Sequence, residues 1–373
     1  MLKKQDQPGA IAAWIALHIT PGVGSVTIKR LVDRFGSPEA VLNMDSALLK
    51  DTGWLSPRAR NAILSGPDPR DLERSMDTIK RLDAWVMTYR SEDYPPLLRQ
   101  IPDPPALLYG LGDRARLTER SIAIVGSRKA TPYGIKAARG LASGLAEMGM
   151  TVVSGLAPGI DTAAHEAALE AGGVTIAVKG CGIDIPYPRH NEAFLERLRQ
   201  EGAIITEFPP GVTPEPKNFP MRNRVISGLC LGVVIVEAGL KSGSLITASC
   251  ALEQGREVMA VPGSIYSNTS LGSHWLIKQG ARLVENASDV MDGLGVFKDL
   301  MPGPIESKRT EGPAPSLESE ERLLYERLCA YPIHVDEIAN LTGLPISKVS
   351  AILLQMELKD IVQALPGQMY QRK

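Results

Sequence analysis

Aromatic residues are scarce in this chain, 5% of 373 positions, and cysteine is scarcer, with 4. Cys181, Cys230, Cys250 and Cys329 stand far apart without paired ligand spacing, which weighs against a zinc site or a disulfide framework and leaves reduced core thiols. Also missing is an excess of one charge, since 41 Lys+Arg face 42 Asp+Glu for a net charge of −1. The whole molecule is therefore no basic nucleic-acid glue, and any polyanion site has to be local, built from a few placed cations. No stretch approaches the roughly 18 apolar residues that a membrane span needs. The N-terminal MLKKQDQPGAIAAWIALHI has only a short apolar run and no small-residue cleavage site, so no export signal is expected. A cytoplasmic protein with no membrane association follows. No GxGxxG opens a helix after a strand and no GxxxxGK[ST] occurs anywhere, which disfavours dinucleotide binding and a Walker-type ATPase. Neither a cofactor nor a metal is expected.

Proline sets the domain boundaries. Pro95, Pro96, Pro102, Pro104 and Pro105 crowd one segment, resist helix and mark a connection. Met301–Ser316 carries four more prolines with Glu, Ser, Lys and Gly, too little apolar content to pack. Expected are a helical N-terminal domain at 1–92, a large middle domain at 93–298, a linker at 299–316 and a C-terminal module at 317–373. In the first, Leu17 to Gly24 followed by Ile28, Leu31 and Val32 resembles a helix-hairpin-helix, whose glycines free backbone N–H groups for a phosphate. A packing unit without ligand fits that pattern equally well, and Lys29, Arg30, Arg34, Arg58 and Arg60 tilt it towards DNA.

The middle alternates short apolar runs with helical patterns. Ser121–Val125, Thr151–Ser154, Val174–Val178, Ala203–Glu207, Val233–Glu237, Val258–Val261 and Arg282–Glu285 are the expected strands. A glycine-bearing turn and a helix follow almost every one. The fold class is α/β, a doubly wound, mostly parallel Rossmann-like sheet, which binds ligands beyond the carboxyl ends of its strands.

Five strand-end loops could hold chemistry. Gly126-Ser127-Arg128-Lys129 lets backbone amides approach a phosphate with a guanidinium beside them; a surface ion pair is the plain alternative for Arg128. Ser154 to Asp161 is a second glycine-rich loop, where Asp161 and His165 can touch on one helix face. Gly180 to Arg189 is a third, with Tyr187 as a stacking ring or a packing anchor. Phe208 to Arg224 is long and proline-braced, and interleaves Lys217, Arg222 and Arg224 with Phe208 and Phe219. Charges for phosphates and faces for bases are what a single strand requires; core plugs and carboxylate pairs through Glu207 or Glu237 are the alternative. Finally, Ser242-Gly243-Ser244 opens a helix whose first N–H groups suit an anion. No activated Ser–His or Cys–His pair is legible.

Taken in order from about Pro95 to Leu294, these strings resemble the DprA/Smf family, bacterial DNA-processing protein A. The likeness rests on Gly126-Ser127-Arg128, Ser154 to Ala157 with Gly159-Ile160-Asp161, Gly180 to Arg189, Phe208 to Gly211, Asn218 to Gly228 and Ser242 to Ala248. The resemblance implies an extended Rossmann fold that binds single-stranded DNA, dimerises, and loads the RecA recombinase in natural transformation. By motif position the family's basic pocket falls on Arg128, Arg189, Lys217, Arg222 and Arg224. Gly126, Ser127, Phe219, Ser242 and Gly243 complete the expected nucleic-acid site. Gly272 to Ile277 resembles the family's self-association helix, which implies a dimer contact at His274 and Ile277; an apolar helix packed on the sheet is the alternative.

Residues 317–373 fit a winged helix, with helices over Ser319–Ala330, Val335–Leu341 and Ser347–Lys359 and a hairpin turning at Pro366-Gly367. From Leu317 onward six Lys+Arg stand against eight Asp+Glu, an unsuitable balance for a DNA reader. A protein-interaction or accessory role is expected instead. The rival to a non-catalytic DNA binder is a phosphoribohydrolase-like nucleotide enzyme using Glu237 or Asp184 as acid or base.

Overall fold

Runs of four or five mostly aliphatic residues, each closed by a turn, build the sheet in the computed structural model of this chain. It describes residues 8–117, 120–188, 192–295, 319–328, 332–359 and 361–372; Arg189 and the expected linker at 299–316 lie outside them. Two compact units result, divided near residue 298.

In the first unit six helices come first: α1 (Pro8–Ile19), α2 (Ser25–Phe35), α3 (Pro38–Leu42), α4 (Ser46–Lys50), α5 (Pro57–Ser65) and α6 (Pro69–Arg81). Three of them begin with proline directly after a capping residue: Ser37 accepts from Ala40 N, Ser56 from Ala59 N and Asp68 from Arg70 N. Then follow β1 (Trp85–Thr88), α7 (Pro96–Arg99) and β2 (Leu107–Gly112). The doubly wound part runs β3 (Ser121–Val125), α8 (Pro132–Glu147), β4 (Thr151–Ser154), α9 (Ile160–Glu170), β5 (Thr175–Val178), α10 (Glu192–Glu201) and β6 (Ala203–Thr206). It continues with α11 (Asn218–Gly228), β7 (Gly232–Ile235), α12 (Ser244–Glu253), β8 (Glu257–Ala260), α13 (Leu271–Lys278), β9 (Arg282–Leu283) and α14 (Ala287–Leu294).

The nine strands lie in the order β1-β2-β6-β5-β4-β3-β7-β8-β9. From β6 to β9 all pairings are parallel. Strands β3 to β7 are buried along their whole length, which parallel strands covered by helices on both faces require. At one end β2 pairs antiparallel with β6, and β1 antiparallel with β2.

Strand β1 bears on the expected boundary at 92/93. Trp85–Thr88 falls on the N-terminal side of it yet belongs to the central sheet. The helices before it are not a separate body either: Trp14, Leu17, Ile28 and Leu31 share one hydrophobic core with Met87, Leu108 and Tyr109. His18 stacks on the Tyr109 ring at 5.8 Å and 12°, with its Nδ1 2.9 Å from the tyrosine hydroxyl. Burial draws the His18 pKa down to about 4, so this contact is made by a neutral ring at neutral pH.

The second unit has its own core of Leu324, Val335, Ile338, Val349, Leu353, Met356 and Val362. Helices α15 (Ser319–Arg327), α16 (Val335–Thr342) and α17 (Ile346–Leu358) pack with β10 (Ile333–His334), β11 (Val362–Leu365) and β12 (Met369–Arg372), the strands ordered β10-β12-β11. This is a winged helix. Among the described residues no helix is long and apolar enough to cross a membrane.

Candidate nucleic-acid interface

Strands β3 and β7 are parallel neighbours, with Ile122 opposite Gly232 and Val125 opposite Ile235. After β3 the chain winds outward through β4, β5 and β6; after β7 it winds the other way through β8 and β9. The loops leaving these two strands therefore diverge and open a crevice at the switch point. The resulting cleft holds about 770 Å³ and is lined by Gly126–Lys129 after β3, Lys241–Ser244 after β7, Phe219 on α11, and Asn268 and Thr269 after β8.

Glycines set the close approaches behind it. A Cβ at Gly126 would stand 2.7 Å from Ile160 Cγ1. Gly159 has φ +85°, and a Cβ there would lie 2.4 Å from the Ser127 carbonyl oxygen, which accepts from Ile160 N. The turn is thus pressed onto the start of α9, while Arg128 and Lys129 project outward, exposed. Lys241 is exposed on the opposite lip. The N-cap residues of α11 and α12, Lys217 and Gly243, make no side-chain cap, Ser242 Oγ accepts from Ser244 N at 3.4 Å, and both helices set N-terminal dipole ends beside the cleft. Asn223 Nδ2 donates to the Gly243 carbonyl at 3.2 Å and ties the two helices together.

Gly126, Ser127, Arg128, Phe219, Arg222, Ser242 and Gly243 are thereby brought to one cleft. Their environments differ. Arg128 sets its guanidinium 5.1 Å from the Phe219 ring centroid. Phe219, half-buried, also meets Arg222 at 5.8 Å and Tyr187 at 5.8 Å, and its ring closes against Gly180, so it supports cations. Arg222 is only 5% exposed and donates to the carbonyls of Gly155 and Val178, at the ends of β4 and β5. Arg224 turns away, pairing with Glu207 and Asp103 and donating to the Asp103 carbonyl. It faces the opposite side of α11 because successive odd positions on a helix are about 200° apart. Lys217 is exposed and paired with Glu215 at 2.7 Å. The N-terminal cations are engaged locally: Lys29 with Asp33, Arg34 with Asp51, Arg30 over Trp54 and Arg60 on the Leu55 carbonyl.

Lys241, Asn268 and Thr269 lie outside the expected site, and Lys129 enters the sequence reading only as the last residue of the Gly126–Lys129 loop. Both lysines flank a quoted motif, after Ser127-Arg128 and before Ser242-Gly243, and that adjacency was the signal. Asn268 and Thr269 sit in a loop with no chemical signature of its own, and only the fold brings them there.

The carboxylates hold backbone. Asp161 accepts from Gly155 N and Ala157 N; burial raises its pKa and the Arg222 charge opposes that rise. Glu237 is 2% exposed, accepts from Thr269 Oγ1, and lies where a Cβ on Gly134 would be 2.4 Å from its carboxylate. Asp184 accepts from Gly211 N, and neither it nor Glu237 is among the residues that line the cleft. His165 bonds Thr175 Oγ1 rather than Asp161, and burial lowers its pKa to about 3. On α13, His274 Nε2 contacts the Gly263 carbonyl at 3.0 Å and Ile277 packs on the core. The exposed apolar residues of that helix are Leu271 and Trp275.

A parallel sheet with glycine turns, helix starts and cations converging at its switch point defines a doubly wound α/β protein of the phosphate-binding class. Residues 85–295 match the profile of the family described as DNA recombination-mediator protein A, and residues 308–368 that of a DprA winged helix domain. Protein Smf of Escherichia coli (strain K12) is 40% identical over 326 residues, 87% of either chain. The X-ray structure of DNA processing protein A from Streptococcus pneumoniae superposes with a TM-score of 0.65 at 35% identity, covering 76% of this chain and 96% of that one. A DNA processing protein A structure from Helicobacter pylori, described for its single-stranded DNA binding mode, gives 0.52 at 32% identity, covering 57% and 96%. The chain belongs to the DNA recombination-mediator protein A family, DprA/Smf.

Proposed function

We propose that this chain is a non-catalytic mediator that holds single-stranded DNA by its phosphates across the switch-point cleft. The observation that carries the reading is the set of three exposed cations, Arg128, Lys129 and Lys241, around a cleft flanked by two helix starts. The single-stranded DNA binding of the Helicobacter pylori relative supports it. Arg222 holds the cleft floor and Arg224 the far side of α11; neither is assigned to phosphate. Loading of RecA onto the bound strand in natural transformation, in the cytoplasm, completes the reading and rests on family membership. Self-association is assigned to α13, whose Leu271 and Trp275 are exposed. The non-catalytic assignment is supported by the engagement of Asp161, Glu237 and Asp184 with backbone or hydroxyl partners.

Gel shifts of single- and double-stranded oligonucleotides test this reading. Arg128→Ala is expected to weaken binding to every single-stranded sequence alike and to lower the log–log salt slope by roughly 0.7. Unchanged affinity in a folded Arg128→Ala protein removes the cleft from the model of binding.

A further inference from the structure

Phe219, the ring expected to stack on bases, is half-buried and already in contact with Arg128, Arg222, Tyr187 and Gly180. A strand held in the cleft by phosphates would still present its bases outward. The loop between β8 and α13 borders that cleft. Asn268 and Thr269 of this loop line the cleft, and Tyr266 stands two residues earlier, within about 7 Å along the chain. Tyr266 is 92% exposed and Ile265 beside it is 73% exposed. Among the described residues no hydrogen bond or ring contact engages the Tyr266 side chain.

The loop that exposes them is braced. Tyr266 N donates to Ser264 Oγ, Ser267 N to the Ser264 carbonyl and Ser270 N to the Ser267 carbonyl. Ser267 and Thr269 hydroxyls lie 2.8 Å apart, and His274 Nε2 contacts the Gly263 carbonyl. A tight turn thus holds an aromatic and a branched aliphatic side chain in water, against the hydrophobic effect, at the rim of a cation-lined cleft. We infer that Tyr266, flanked by Ile265, is a stacking platform for one unpaired base of the strand whose phosphates lie on Arg128, Lys129 and Lys241. A base offers a π face whatever its identity, so the platform serves binding without sequence preference. This inference rests on the cleft holding a single strand.

The test uses the full-length chain and two fluorescent oligomers of equal length, one of thymidines and one abasic with the same phosphates. Tyr266→Ala is expected to lose roughly tenfold in affinity for the thymidine oligomer. Its affinity for the abasic oligomer and its salt slope should stay those of the unmodified chain, and Tyr266→Trp should bind the thymidine oligomer normally with its added indole emission quenched. Wild-type affinity of Tyr266→Ala for thymidine, or an equal loss on both oligomers, overturns the platform. So does a changed sedimentation coefficient without a base-dependent loss, which would assign the loop to a contact between copies. Arg128→Ala separates the two readings, because it should weaken both oligomers alike. If it weakens neither, the cleft reading fails and the platform with it.

Discussion

Arg222 and Arg224 stand two positions apart on α11 and meet opposite fates. Arg222 lies beneath the cleft and joins two strand ends through their carbonyls, while Arg224 neutralises a buried carboxylate on the far side. That carboxylate, Glu207, is 5% exposed. Burial pushes its pKa from 4.5 up to about 7, with the Arg224 charge holding it down against that and Asp103 adding to the rise. A carboxyl whose folded pKa is raised stabilises the fold fully below its unfolded value, and that contribution is lost as pH climbs through the folded one. Glu207→Gln removes the titration. Its stability relative to the unmodified chain, measured by urea unfolding, should therefore rise between pH 4.5 and pH 8 by up to about 3 kcal/mol. A difference flat with pH would show Glu207 ionised throughout, with Arg224 compensating its burial.

Among elements, the strand-end loops carry the functional geometry, and their glycines do different jobs. A Cβ at Gly155 would be 2.6 Å from Arg222 Nη1, so this glycine makes room for a guanidinium rather than for a phosphate. Between it and Gly159, Leu156 holds φ +59°, a strained conformation kept by the surrounding packing. Gly159→Ala puts a side chain on a backbone at φ +85° and against the Ser127 carbonyl. It should cost at least about 1 kcal/mol in thermal unfolding and displace the Ser127-Arg128 turn, weakening single-stranded DNA binding in parallel. For stability alone, since Gly243 itself lines the cleft, Gly243→Ala is the matched control. A Cβ there meets nothing within 4 Å, and stability should stay within about 0.5 kcal/mol. Equal effects of the two substitutions would remove the close approach as the cause.

At the scale of the molecule, the N-terminal helices and the central sheet share a core, whereas the winged helix closes a core of its own. On α17 the side chains at Ile346, Leu354 and Leu358 are exposed and apolar, and Lys348 is paired with Glu320. That surface lacks the cations a duplex reader carries on its recognition helix. A chain ending at residue 298 is therefore expected to bind single-stranded oligonucleotides within about twofold of the full chain, since the switch-point cations all remain. A larger loss in gel shifts would bring the winged helix into DNA binding.

The sequence by itself determined the doubly wound sheet, its seven parallel strands and the glycine turns after them. Strand-length apolar runs and backbone conformations open only to glycine are local properties, readable residue by residue. It also located Arg128 and the start of α12, which lie at strand ends wherever the sheet closes. Strands β1 and β2 escaped because β2 joins the sheet antiparallel to β6, a partner nearly a hundred residues away, and β1 joins only through β2. Only the tertiary structure decided which of the cations face the cleft. Arg222, Arg224 and Lys217 share one loop and one chemistry in the sequence. Helical phase, burial and the nearest carboxylate separate them, and those are properties of packing that no single residue carries.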